Sequence, residues 1–226
     1  MFAECVSSAA LTLLETVGAA EDFRSLGFYL AGGTGLALQL GHRVSNDLDF
    51  FSQRTFDPEL VLRTLARILP ARVLEASPGT LHLIGNENVK VSLLFYPYKV
   101  VFPFVHFKNY PLADYRDIAA MKLIALGQRG TKRDFLDLFF LLRGKMTLRE
   151  LKEIVEQKYT TIRYNWPHLV RSLGYFADAE EDPMPVLIAA GVKREMTQEE
   201  WREVKRFFLN LQREALLEMR QGGLRF

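Results

Sequence analysis

Ala31-Gly32-Gly33-Thr34-Gly35-Leu36-Ala37-Leu38-Gln39-Leu40-Gly41-His42-Arg43-Val44-Ser45-Asn46-Asp47-Leu48-Asp49-Phe50-Phe51 carries most of what this chain says about its own architecture. Residues 28–31 are a short β-prone run that stops at the glycine pair. A compact helical stretch over 34–40 follows and ends at Gly41. Residues 48–51 then read as a second strand. Asp47 and Asp49 stand two positions apart, so they project from one face, with Leu48 and Phe50 on the other. Thirteen residues separate Gly33 from Asp47.

That arrangement has a chemistry. A Gly-Gly turn after a strand lets backbone N–H groups come close to a phosphate, and a helix N-terminus favours negative charge. Two carboxylates on one strand face can clamp divalent ions beside a triphosphate. Such ions stabilise both the attacking and the leaving oxygens of an in-line displacement. Two competing phosphate motifs are excluded. The stretch has no Gly-Lys-Ser/Thr, and its spacing is too short for the crossover helix of a dinucleotide fold.

Outward from this segment, residues 3–17 place Val6, Ala10, Leu13, Leu14 and Val17 at helical spacing. Asp57-Pro58 opens a further helix, which Pro70 stops. Strands are expected over 71–76, 80–85 and 89–96, joined by connections so short that neighbours must be antiparallel. The run 100–107 contains Pro103 and reads as an edge strand. After Pro111, helices are expected over 114–127, 131–143, 147–157, 166–176 and 198–219, with 178–185 as a loop. The expected fold is therefore α/β of the α+β kind, a mixed or antiparallel sheet flanked by helices. It divides into an α/β core over 1–110 and a helical C-terminal domain over 111–226.

Composition bounds the partners. Among 226 residues, 29 Lys+Arg against 27 Asp+Glu give a net charge of only +2, too little for a whole-surface grip on nucleic acid. Cys5 is the single cysteine, which excludes an internal disulfide and a cysteine-based zinc site. The histidines (His42, His82, His106 and His168) are too scattered to read as a metal cluster. No apolar run approaches membrane-spanning length, and no secretory signal opens the chain, so a cytoplasmic protein with no membrane partner is expected. Residues 115–158 hold ten Lys/Arg against six acids, a local excess suited to a phosphate backbone or to a solvated helical surface.

The glycine pair, the Asp47-Leu48-Asp49 pattern and the later segments 121–126 and 132–138 together resemble the AbiEii/AbiGii toxin family of the DNA polymerase beta-like nucleotidyltransferase superfamily. The resemblance covers about residues 25–145. It implies a nucleotidyltransferase-type sheet and transfer of an NMP from an NTP to an acceptor hydroxyl, with tRNA favoured. It also implies a type IV toxin–antitoxin or abortive-infection role, with a cognate antitoxin that acts without a stable complex. In this reading Asp47 and Asp49 bind Mg²⁺ (or Mn²⁺), while Gly32, Gly33 and Thr34 cradle the triphosphate. His42 and Arg43 reach phosphate or acceptor, or else form a solvated turn, and Ser45 caps the approach to the strand.

Lys122 is the only charge between Ile118 and Gln128, and Asp137 the only one between Phe135 and Leu142. A lysine in so apolar a helix must find a partner or line a cavity. One reading is a buried Lys122–Asp137 pair. The other, implied by the resemblance, sets Lys122 on the NTP phosphates with Asp134 or Asp137 orienting it. One departure stands out. Polymerase beta-like enzymes carry a third carboxylate on a later strand, where this chain has Ser92, with Glu87 in the preceding turn as a substitute. Two alternatives therefore stay open, a non-catalytic nucleotide-binding or interaction module and a transferase acting on a protein or small molecule.

Overall fold

The computed structural model describes residues 1–221. The chain forms two compact units, Met1–Ile118 and a second beginning at Ala119.

In the first unit, helix α1 (Ser8–Ala19) starts where the Ser7 hydroxyl accepts the Ala10 N–H, which leaves Ala3–Cys5 as a separate 3-10 turn. After α2 (Glu21–Arg24), strand β1 (Tyr29–Leu30) runs directly into α3 (Gly32–Leu40). The glycine pair is thus the first turn of that helix and not a turn in front of it. Strand β2 (Leu48–Ser52) follows, then α4 (Pro58–Leu65), whose N-terminus is capped by Asp57. Strands β3 (Arg72–Ser77), β4 (Thr80–Ile84), β5 (Lys90–Phe95), β6 (Val105–Phe107) and β7 (Tyr110–Leu112) complete one seven-stranded sheet in the order β3-β4-β5-β2-β1-β7-β6. The β1–β7 and β2–β5 pairs are parallel and the other four antiparallel. Of the expected run 100–107, only its last three residues form a strand, on the sheet edge. The buried Asp117 carboxylate takes the N–H groups of Val101 and Phe102 at 3.1 and 2.9 Å, and Pro103 has none to give.

One sheet face alternates cleanly. Leu48, Phe50, Val91, Leu93, Leu81 and Leu83 are buried there, together with Leu14, Val17, Phe23 and Tyr110. Phe50 packs edge-on to Phe23 and Tyr110, with centroids 5.7 and 5.4 Å away. Each such side chain contributes about 1.5–3 kcal/mol by burial. The residues between them (Asp49, Ser92, His82) are only half-buried.

Helix α5 (Tyr115–Gln128) spans the boundary between the units. The second unit continues with α6 (Lys132–Gly144), α7 (Leu148–Lys158), α8 (Trp166–Ser172), α9 (Ala177–Glu180) and α10 (Gln198–Gln221). Phe135 anchors its core, with Phe208 and Trp201 edge-on at 5.3 and 6.0 Å. On α10, Val204 and Phe208 are buried, Phe207 and Leu211 half-buried. The unit is not wholly helical, because β8 (Val186–Ala189) and β9 (Val192–Glu195) form a hairpin. Its two-residue turn has φ of 49° at Ala190 and 78° at Gly191. Ala at the first of these positions hides the Asn-Gly signal that normally announces such a turn. The expected loop over 178–185 begins inside α9, and the helix expected over 166–176 stops at Ser172.

Candidate active site

Helix α3 enters straight from the sheet ladder, with the Ala31 N–H donating to the Asp49 carbonyl at 3.0 Å. Its N-cap residue, Ala31, has no side chain with which to cap it. The first-turn N–H groups of Gly32, Gly33 and Thr34 therefore belong to the set that an α-helix cannot satisfy internally. Gly32 has a φ of 62°, and a Cβ built on it would lie 2.5 Å from Asp49 Oδ2. A Cβ on Gly33 would lie 2.6 Å from Arg43 Nη2 and 3.0 Å from Ser45 Oγ. The glycine pair is thus the floor of a cradle whose walls are the Asp49 carboxylate and the Arg43 guanidinium. Any larger residue would fill it.

The connection from α3 to β2 is built inward. His42, Arg43 and Ser45 are all buried, which rules out a solvated turn. The Ser45 N–H donates to the Cys5 carbonyl at 2.9 Å, and Arg43 Nη1 to the Val44 carbonyl at 3.0 Å. The Thr34 hydroxyl reaches Ser45 Oγ at 3.0 Å and donates to the Asp47 carbonyl. Thr34 is fully buried, and its side chain pins the loop that carries Asp47.

Asp47 immediately precedes β2 and Asp49 lies within it, as the i, i+2 pattern requires. Among the described residues no third His, Cys, Asp or Glu joins them in a metal-binding cluster. Mg²⁺ is commonly held by one or two carboxylates together with substrate phosphates. Two carboxylates beside the glycine pair are a donor set that fits an ion arriving with its nucleotide.

In the parallel β2–β5 register Ser92 sits directly opposite Asp49, the place where an acid was expected. Glu87 does not stand in for it. It lies exposed in the turn Asn86–Asn88, beside Ser8, Thr12 and Pro70 in a groove at the end of α1.

In the second unit the Lys122 ammonium is gripped by both candidate acids, 2.7 Å from Asp134 Oδ1 and 2.8 Å from Asp137 Oδ2. Asp134 also accepts a hydrogen bond from the Thr131 hydroxyl at 2.6 Å. The choice between Asp134 and Asp137 dissolves, since each holds one side of the same cation. The basic excess over 115–158 persists at the surface, since the buried charges of this stretch include Asp117, Asp134 and Asp137. Lys132 and Lys158 are buried, and Arg143, Arg149 and Lys152 pair with Glu203, Glu153 and Glu156. No helix of the described residues is long and apolar enough to cross a membrane.

Sequence reasoning did not single out the row formed across the sheet by Asp49, Ser92, His82 and Glu75. Only the strand order brings these residues together.

Comparison with known proteins bears on the same geometry. The family described as nucleotidyl transferase AbiEii toxin, type IV TA system, matches residues 13–218. The uncharacterized protein aq_aa25 of Aquifex aeolicus (strain VF5) is 36% identical over 214 residues, covering 92% of this chain and 94% of its own. Among solved structures, MenT4, a nucleotidyltransferase toxin from Mycobacterium tuberculosis H37Rv, superposes with a TM-score of 0.55 at 17% identity, over 89% of this chain and 82% of that one. JHP933 from Helicobacter pylori gives 0.52 at 18% identity, over 96% and 97%. At these identities the structural likeness speaks for the fold.

Proposed function

The chain belongs to the AbiEii nucleotidyltransferase toxin family, and from that premise we propose that it transfers an NMP from an NTP to an acceptor hydroxyl in a metal-dependent reaction, with tRNA as the favoured acceptor. The observation that carries this reading is the 2.5 Å between a Cβ built on Gly32 and Asp49 Oδ2, which sets the N-terminus of α3 against the Asp49 carboxylate. Asp47 and Asp49 hold Mg²⁺ or Mn²⁺, which when bound supplies Lewis-acid stabilisation of the phosphoryl oxygens. The N–H groups of Gly32, Gly33 and Thr34 meet the phosphates, and the buried Arg43 guanidinium adds fixed positive charge beside them. Lys122, braced by Asp134 and Asp137, is a proposed charge partner for nucleotide phosphate.

The biological role that goes with this activity is that of a toxin of a type IV toxin–antitoxin or abortive-infection system. Its antitoxin would act without a stable complex, and both would work in the cytoplasm. Incubation of the purified protein with Mg²⁺, each α-labelled NTP in turn and total tRNA tests the chemistry. Label in tRNA from the wild type, absent with Asp47→Ala, is the expected outcome. Label on protein or on a small molecule would redirect the acceptor. An Asp47→Ala, Asp49→Ala double variant that binds Mg·NTP as well as the wild type would sink the site assignment.

A further inference from the structure

We infer that His82 is the group that takes the proton from the acceptor hydroxyl, an inference that rests on the nucleotidyl-transfer reading above. Paired residues on neighbouring strands project to the same sheet face. Ser92 lies opposite Asp49 in the parallel β2–β5 pair, and His82 lies opposite Ser92 in the antiparallel β4–β5 pair. With strands about 4.8 Å apart, His82 stands about 10 Å from Asp49 across the sheet, with only the short serine side chain between them. Ser92 can neither carry a negative charge nor accept a proton effectively at neutral pH. The residue beyond it is an imidazole, the side chain most used for that task.

The next strand supplies a second, independent observation. The β3–β4 register shifts between Val73 and Glu75, so that Glu75 and not Leu74 faces His82. Val73 pairs with Leu83, and regular alternation would have set Leu74 opposite the imidazole. One extra residue replaces an apolar neighbour with a carboxylate, the kind of re-aiming for which bulges beside active sites are known. A carboxylate next to an imidazole favours the tautomer and orientation in which the far nitrogen accepts. The Glu75 carboxylate accepts from the Ser77 hydroxyl at 3.4 Å and faces His82 through the strand register, and in this assignment it turns to the imidazole as a positioning residue. The charged and titratable groups around His82 on this face are Glu75 and Arg72 on β3, Lys90 on β5 and, beyond Ser92, Asp49 on β2.

In the step so assigned, the acceptor O–H proton passes to a ring nitrogen of His82 and the oxygen bonds to the α-phosphorus. The bond from that phosphorus to the bridging oxygen breaks, and pyrophosphate leaves with the electron pair.

The test uses the full chain with Mg²⁺, the labelled NTP and total tRNA, and measures NTP affinity separately by equilibrium dialysis. His82→Gln is expected to lower kcat by about 100-fold or more, with KM for NTP and Mg·NTP affinity within twofold of wild type. Ser92→Asp placed in the His82→Gln background is expected to recover at least tenfold, because it restores an acceptor one strand closer. Glu75→Gln should lower kcat several-fold at unchanged KM, and Glu75→Asp should restore part of it. His82→Asn serves if His82→Gln does not fold. Full activity in a folded His82 variant, alongside loss in Asp47→Ala, overturns this inference alone. No transfer by the wild type overturns the underlying reading with it.

Discussion

Gly32 is the residue at which backbone and chemistry constrain each other most tightly. Its φ of 62° disfavours any L side chain, and a methyl group there would meet the Asp49 carboxylate at 2.5 Å. Gly32→Ala is therefore expected to cost about 1–2 kcal/mol of stability from strain. It should also cost at least tenfold in NTP affinity, because Asp49 must move. Paired chemical denaturation and dialysis measurements would check this, and an Ala variant that binds Mg·NTP like the wild type would show that the cradle is not the phosphate site. The need for glycine pairs and Asp-x-Asp at this spacing was legible in the sequence, because each follows from a local period. Arg43 was not legible as buried, since its burial depends on a long-range contact of the Ser45 N–H with the Cys5 carbonyl, 40 residues earlier in the chain.

At the scale of elements, Lys122 couples α5 to α6 through two carboxylates, one of them fully buried. Removing the cation leaves Asp134 and Asp137 together in a place water reaches poorly, and breaking a buried pair typically costs about 3–5 kcal/mol. Lys122→Ala should thus destabilise the protein by an amount of this order, seen as a lowered denaturation midpoint. Lys122→Ala, Asp137→Asn should recover part of it. If NTP affinity stays low in the recovered variant, the ammonium serves the nucleotide as well as the helices.

The same scale supplies a pH prediction at the start of α10. Glu200 accepts two hydrogen bonds from Arg194, at 2.8 and 2.6 Å, and one from the Thr197 N–H at 2.8 Å. The Arg194 guanidinium foremost, then the Thr197 N–H, pull the carboxyl down to about 2 from its ordinary 4.5. A carboxyl depressed on folding stabilises the protein above its unfolded value, and that contribution fades as pH falls from about 4.5 towards 2. Glu200→Gln should therefore lower Tm at pH 6, with the gap to wild type closing as the pH approaches 2. Parallel melts across that range decide it. A helix over 198–219 was readable from its 3.6-residue period. The hairpin that leads into it was not, because Ala190 occupies a left-handed position where the sequence offers no turn residue.

The molecule as a whole is nearly neutral, and many of its charges pair with each other. The net charge of +2 leaves little long-range attraction for a polyanion. The segment richest in Lys and Arg buries Lys132 and Lys158 along with Asp117, Asp134 and Asp137, and pairs Arg143, Arg149 and Lys152 with glutamates. An acceptor tRNA would then be held through few phosphates. Since log Kobs falls by about 0.7–0.9 per phosphate neutralised for each decade of salt, a slope shallower than about −3 is expected for tRNA binding between 50 and 200 mM salt. Fluorescence anisotropy with labelled tRNA over that range measures it. A slope near −6 or steeper would mean that a basic surface engages the acceptor broadly. A shallow slope with retained transfer places recognition in the short reach around the acceptor hydroxyl, and the Asp49–Ser92–His82–Glu75 row across β2, β5, β4 and β3 is the surface to vary next.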